Sequence, residues 1–319
     1  DAFFAARFDR ALALRERIRP DPERKRAARL VHGEADFLPG LVVDRYADCV
    51  SLQTLTEATD KRKGLFIDLI KAKLSPRAIV ERNDPKVRQH EGLEQKKGLL
   101  HGALDGPVPY LEGEVTLNAD LLEGQKTGAF LDQSENRIEA GRHAYGRALD
   151  CFTYGGGFAL QLAQHASNVT AVDISEKACA DARLAAQRNP EIAAKVFFTC
   201  ANAFDFLKDQ AEAGERYDTI VLDPPAFSKR KAAIDAAVRG YKEINLRAFQ
   251  MLSAGGVLVT ASCSFHVDDV LFERTVLSAA VDAGKSVQIV ERRGAGRDHP
   301  TLLGMPESRY IKCLVLRVG

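Results

Sequence analysis

From position 148 to the C-terminus, short apolar runs alternate with longer stretches in which apolar residues recur at helical spacing. ALDCF (148–152), NVTAVD (168–173), VFFTCA (196–201) and YDTIVLDPP (217–225) are the first four runs. Helical patterns through Phe158–His165, Glu176–Arg188 and Phe204–Ala213 separate them. Strand runs without polar alternation are covered on both faces, so the pattern predicts a parallel sheet flanked by helices. It continues with a helix around 232–252, a turn at SAGG, the strand VLVTASC (257–263) and a helix through Val270–Ala283. VQIVE (287–291) and YIKCLVLRV (310–318) close it as a hairpin pair, making a seven-stranded, mostly parallel, Rossmann-like α/β sheet.

Residues 1–120 follow a different period. DAFFAARFDRALALRERI is an amphipathic helix with Phe4, Phe8, Ala11 and Ile18 near one face. The following RLVHGEADFLPGLVVDRYADCVSLQTL alternates short strands with turn residues, as an antiparallel meander does. A helix through Leu65–Leu74, the strand AIVER and a hairpin in VPYLEGEVTLNADL turning at Glu112–Gly113 complete a smaller α+β domain. The expected division is therefore 1–120 and 121–319, with the join near 115–125.

The 319 residues are 45% hydrophobic and 28% charged, an ordinary globular composition, and no apolar run approaches the ~20 residues that span a bilayer. Six scattered cysteines without CxxC or CxxH spacing argue against zinc and for a reducing, cytoplasmic setting. No metal and no membrane partner is expected, and a homodimer is left open. The first residue is Asp1, not Met, so the chain is expected to be part of a longer protein. A net charge of +1 exerts no strong pull on nucleic acid, so an RNA partner would need local patches. Arg15–Arg29, Ser228–Lys231 and Glu291–Arg297 are the candidates.

Chemistry concentrates at the predicted strand ends. In LDCFTYGGGFALQLA a glycine turn follows a buried strand that carries Asp150 and precedes a helix, so a ligand could approach the backbone at Tyr154, Gly155 and Gly157. The next strand ends in Asp173, about twenty residues on, where a carboxylate can accept from both hydroxyls of a ribose. A helix N-cap is its rival role. In VLDPPAFSK (221–229), Asp223 falls where open α/β sheets bind ligands, and two prolines stiffen the loop behind it. Phe227 then offers a ring on which a flat base could stack, and Lys229, Arg230 and Lys231 a basic contact for RNA. An Asp-Pro-Pro-x-aromatic run in this topology points to methyl transfer onto a planar target, and seven such strands suit a class I methyltransferase sheet better than a dinucleotide-binding one.

Cys263, in VLVTASCSFHV, ends the predicted strand next to that of Asp223. Cytosine C5 is a poor nucleophile. A thiolate adding at C6 makes C5 electron-rich, which would make Cys263 a covalent catalyst on a base that is flipped out or single-stranded. Ser262 and Ser264 frame it, Lys229 could favour the thiolate, and His266 is a candidate proton acceptor.

Together these residues resemble the bacterial 23S ribosomal RNA large-subunit methyltransferase I family, which forms 5-methylcytosine. The resemblance runs essentially end to end, through RLVHGEADFLPGLVVDRY, GQKTGAFLDQSENR (124–137), the glycine turn, DPPAFSK, RGYKEIN (239–245), SCS and HPTLLGMPESRYIK. It implies S-adenosylmethionine as cofactor, with Lys126, Thr127, Phe130 and Asp132 among its contacts, and 23S rRNA, naked or in a pre-ribosomal particle, as partner. It further implies an RNA-binding PUA domain in front of this chain. Two departures stand out. The turn reads TYGGGF where a threonine is common before the last two glycines, and Asn202 stands where an aspartate often holds the adenine amino group. The alternatives are N-methylation of a purine with Cys263 passive, a non-catalytic RNA-binding or assembly factor, and a methyltransferase for small molecules or proteins.

Overall fold

The structure, a computed structural model, describes residues 1–227 and 233–319. It forms two compact units: Asp1–Ser134 with Gly296–Ser308, and Glu135–Ala295 with Arg309–Gly319. The division falls at Ser134 rather than near 120, and no local periodicity marks the return of Gly296–Ser308 to the first unit.

The first unit runs α1 (Ala2–Ile18), β1 (Ala27–His32), β2 (Leu41–Tyr46), β3 (Cys49–Thr54), α2 (Glu57–Asp60), α3 (Lys63–Leu74), β4 (Ala78–Asn83), β5 (Lys96–Gly102), β6 (Val108–Glu112) and β7 (Val115–Ala119). Strands β1 to β5 make one sheet in sequence order. The first three form the expected meander, β4 joins β3 in parallel after α3, and β5 pairs antiparallel with β4. Strand β5 is invisible in KKGLLHG because that edge strand is mostly solvated and carries no clean alternation. Phe8 and Ala11 of α1 pack with Leu30, Val43, Leu52, Phe66 and Ile79 in one core. The predicted face of α1 drifts at its end: Arg15 is buried on it, with Nη1 2.5 Å from Asp36 Oδ1. The hairpin β6–β7 turns at Gly113, whose φ of +60° suits a residue without Cβ.

The second unit runs α4 (Ser134–His143), β8 (Arg147–Cys151), α5 (Gly157–Leu162), β9 (Asn168–Asp173), α6 (Glu176–Gln187), α7 (Pro190–Ala193), β10 (Val196–Cys200), α8 (Ala203–Glu212), β11 (Tyr217–Leu222), α9 (Ile234–Met251), β12 (Leu252–Ser262), α10 (Asp269–Asp282), β13 (Val287–Arg293) and β14 (Lys312–Val318). Its seven strands lie in the order β10-β9-β8-β11-β12-β14-β13. Strand β14 is inserted between β12 and β13 and runs against both, whereas the others run in parallel. The SAGG residues lie within β12 but out of register, since Leu252 pairs with Tyr217 and the ladder resumes only at Val257 opposite Thr219. The core joins the buried faces of β8, β11, β12 and β14 to Tyr241, Phe249 and Phe272 of the flanking helices. Strand order reverses between β8 and β11, and at such a point a crevice opens at the carboxyl ends of the strands.

Candidate active site

The glycine turn after β8 is a run of left-handed residues: Phe152, Tyr154 and Gly156 have φ of +68°, +48° and +80°. Backbone contacts hold this costly geometry. Phe152 and Thr153 N–H both donate to the Val172 carbonyl, and Tyr154 N–H donates to Asp173 Oδ2 at 2.9 Å. The second Asp173 oxygen accepts from Ser175 N–H at 2.9 Å. Ser175, not Asp173, caps α6, accepting from Ala178 N–H, so the rival role expected for Asp173 falls to its neighbour. The Asp173 carboxylate is therefore fixed between Tyr154 and Ser175 and half-exposed.

The three glycines differ. A Cβ on Gly155 would meet nothing within 4 Å, which leaves the open space that a ligand requires. A Cβ on Gly157 would stand 2.7 Å from Arg137 Cδ. Gly157, expected beside Gly155 as a ligand contact, is thus glycine because Arg137 packs over it. Gly156, which the sequence did not single out, is the residue with the left-handed φ and has Ala182 at 3.1 Å from its would-be Cβ. Beneath the turn Asp150 is fully buried, with Thr153 Oγ1 donating to its Oδ2 at 2.6 Å. Burial, reinforced by the charges of Asp223 and Asp173, pushes the Asp150 carboxyl up to about 8 against the Thr153 hydrogen bond. Asn202 is the exposed N-cap of α8, its Oδ1 accepting from Phe204 N–H at 2.9 Å.

In the first unit, Lys126, Phe130 and Asp132 form a cluster of their own. Lys126 Nζ lies 2.5 Å from Asp132 Oδ2 and 4.5 Å from the centre of the Phe130 ring. Thr127 is a correction: it is buried, its hydroxyl donates to Asp44 Oδ2 at 2.5 Å and lies 3.0 Å from the Tyr46 hydroxyl, so its side chain anchors the segment and offers a ligand only its backbone.

Along the β11–β12 edge, Leu222 pairs with Thr260, which sets Asp223 level with Ala261 and Cys263 two residues further out. Cys49, Cys151, Cys179 and Cys313 are buried and Cys200 is exposed; Cys263 alone is half-buried. Burial pushes the thiols of Cys49 and Cys313 up to about 12, as expected of packing residues. Ser262 and Ser264 flank Cys263 as fully buried neighbours, and the Tyr241 hydroxyl lies 2.9 Å from Ser264 Oγ. Lys312 Nζ donates to the Ser264 carbonyl at 2.7 Å. Neither Tyr241 nor Lys312 was singled out by the sequence, because nothing in YKEIN or YIKC distinguishes a site residue from a solvated one.

The Phe227 ring packs 4.7 Å from Tyr241 and 5.6 Å from Phe204, within a chain of aromatics that reaches Phe272 and Phe152. The ring so engaged remains partly exposed. Phe265, two residues past Cys263 and 53% exposed, is the aromatic left facing solvent there, with His266 5.1 Å away. Lys229, Arg230 and Lys231 lie outside the described residues. Elsewhere in the second unit, donor atoms of Glu139, His143 and Glu291 lie within 4.8 Å of one another, but Arg293 reaches both carboxylates and Arg142 reaches Glu139, so the group is an ion-pair network.

Comparison with known proteins agrees with this geometry. Residues 104–315 match the family model for S-adenosylmethionine-dependent methyltransferases. The ribosomal RNA large subunit methyltransferase I of Tolumonas auensis is 40% identical over 319 residues, covering 99% of this chain and 80% of that protein. The protein of the same name from Aeromonas hydrophila is 40% identical over 293 residues, covering 91% and 74%. Among solved structures, a putative S-adenosylmethionine-dependent methyltransferase from Streptococcus mutans superposes with a TM-score of 0.84 at 20% identity, over 99% of this chain and 81% of that one. A putative methyltransferase complexed with S-adenosylhomocysteine does so equally well, with the same score, identity and coverage. With a Rossmann-like sheet, an open glycine turn and a carboxylate at the end of β9 in place, the chain belongs to the ribosomal RNA large subunit methyltransferase I family of S-adenosylmethionine-dependent enzymes.

Proposed function

We propose that this enzyme transfers a methyl group to C5 of a cytosine in 23S ribosomal RNA through a covalent bond between Cys263 and C6 of the base. The observation that carries this is Cys263 itself, the one half-buried thiol of six, just past the carboxyl end of β12 and beside the strand of Asp223. The names of the relatives supply the class of RNA.

The residues present fit the cofactor, since Gly155 leaves open space in the turn whose Tyr154 N–H holds the half-exposed Asp173 carboxylate. Asp173 would hold the ribose hydroxyls, the Tyr154–Gly156 backbone the amino-acid end, and Asn202 the adenine edge. Lys126, Phe130 and Asp132 remain proposed contacts on the strength of the family resemblance. When bound, S-adenosylmethionine supplies an electrophilic methyl carbon. The Cys263 thiolate adds to C6, forming the S–C6 bond and moving the C5–C6 π pair onto C5. C5 would take the methyl group as its bond to the sulfonium breaks and S-adenosylhomocysteine leaves; the C5 proton would pass to a base, for which His266 is the candidate, as elimination breaks S–C6 to regenerate thiolate and aromatic ring. Asp223 orients the base edge or protonates it, and Phe265 offers the exposed ring for stacking.

Incubation with S-adenosylmethionine and 23S rRNA carrying 5-fluorocytosine tests the reading, because fluorine at C5 blocks the final elimination. A denaturation-resistant adduct is expected with the wild type and not with Cys263→Ala. Methylation of ordinary RNA without any adduct would transfer the assignment to an N-methylation in which Cys263 only packs.

A further inference from the structure

The turn that carries Cys263 is held by a buried lysine. Lys312 opens β14 opposite Ser262, and its Nζ donates to the Ser264 carbonyl at 2.7 Å and the Tyr310 carbonyl at 3.0 Å. The residue is only 4% exposed. An ammonium has three N–H donors, and these two carbonyls take two of them. A buried charge without an ion pair is unfavourable, yet among the described residues no carboxylate lies within ion-pair distance of this one. The carboxylates near it have other partners: Asp269 accepts from Arg309 at 3.2 Å, and Asp268 caps α10 through Leu271 N–H at 2.8 Å. Burial lowers the basicity of Lys312, and the negative charges of Asp269, Cys263 and Asp268 oppose that lowering. The carbonyl that the ammonium holds belongs to Ser264, the residue after Cys263, so thiol and ammonium share one turn.

We propose that Lys312 is the positioning cation for Cys263, pinning the Ser262–Ser264 turn through the Ser264 carbonyl and stabilising the thiolate with its charge. This rests on the covalent reading of Cys263. The other groups around that turn decide how much the cation matters. Asp268 and Asp269 at the start of α10 and Asp223 at the end of β11 all disfavour a thiolate. The Tyr241 phenol from α9, which burial holds above its usual range, is neutral and engaged with Ser264. His266 follows in the same loop. Arg309 is already on Asp269 and is exposed, whereas Lys312 is buried. Removing the charge of Lys312 moves the ionisation of Cys263 to higher pH.

Alkylation of the full chain with iodoacetamide across pH, read at the Cys263 peptide by mass spectrometry, tests this directly. The exposed Cys200 serves as an internal control. In Lys312→Met the midpoint for Cys263 is expected to rise by about one unit or more, while Lys312→Arg keeps it near the wild type and Cys200 stays put in all three. Methyl transfer by Lys312→Met should fall roughly tenfold near neutrality and recover as the pH is raised, a profile that a purely structural lysine would not produce. If Lys312→Met does not fold, Lys312→Gln, which can still donate to both carbonyls without a charge, carries the same comparison. An unmoved Cys263 midpoint in a folded variant overturns the role of Lys312. The fluorocytosine adduct on the wild type separates the two ideas: its formation alongside an unmoved midpoint removes only the lysine, and its absence removes the covalent reading itself.

Discussion

Asp150 departs far from the ordinary chemistry of its residue type. It lies next to the end of β8, fully buried, with Oδ2 accepting from Thr153. With its carboxyl pushed up to about 8, the folded protein holds a proton at neutral pH that the unfolded chain, ionising near 4, has released. The stability this residue contributes is thus complete below about pH 4, declines as the pH rises, and is gone once the pH passes 8. Asp150→Asn removes that decline. Thermal unfolding of the variant without ligand should fall less steeply between pH 5 and 8.5 than that of the wild type, with a gain of several degrees at the alkaline end. Parallel curves would show that the carboxyl ionises normally. The type of residue at 150 is plain in the sequence, but its protonation state is not, because burial and the neighbouring Asp173 and Asp223 come from separate strands.

At the scale of elements, the strand–turn–helix from β8 to α5 shows how one motif divides its work. Gly155 faces open space and Gly157 faces Arg137 of α4, although both read alike in TYGGGF. Gly155→Ala is expected to leave thermal stability without ligand almost unchanged and to weaken S-adenosylmethionine binding by about tenfold, the loss of roughly one hydrogen bond's worth of close approach. Gly157→Ala should do the reverse first, lowering the melting temperature as the Cβ displaces Arg137. Calorimetric titration beside thermal unfolding distinguishes them, and equal behaviour of the two variants would refute the division. The turn itself was legible, since a glycine cluster between an apolar strand and a helical period has few other uses. Which glycine serves the ligand was not, because that depends on a side chain eighteen or more positions away in a helix with no marked apolar face.

For the whole molecule the question is how a chain of net charge +1 binds a polyanion. Attraction must come from local clusters, of which Ser228–Lys231 beside the Asp-Pro-Pro loop is the one placed by sequence next to the chemistry. RNA affinity should therefore fall with salt, and the triple substitution of Lys229, Arg230 and Lys231 to alanine should reduce the slope of log K against log salt by about two to three. A filter-binding series in which wild type and variant share one slope would remove that cluster from the RNA contact.

The sequence by itself determined the α/β class, the seven strands of the second unit, and the strand-end positions of Asp173, Asp223 and Cys263, because all of these follow from periodicities a few residues long. Tertiary structure alone decided that β14 inserts beside β12, that Gly296–Ser308 returns to the first unit, that Phe227 packs on Tyr241 and Thr127 turns inward, and that Lys312 reaches the Cys263 turn. Those features pair residues dozens of positions apart, and the packing energy that selects such partners leaves no local pattern in either segment.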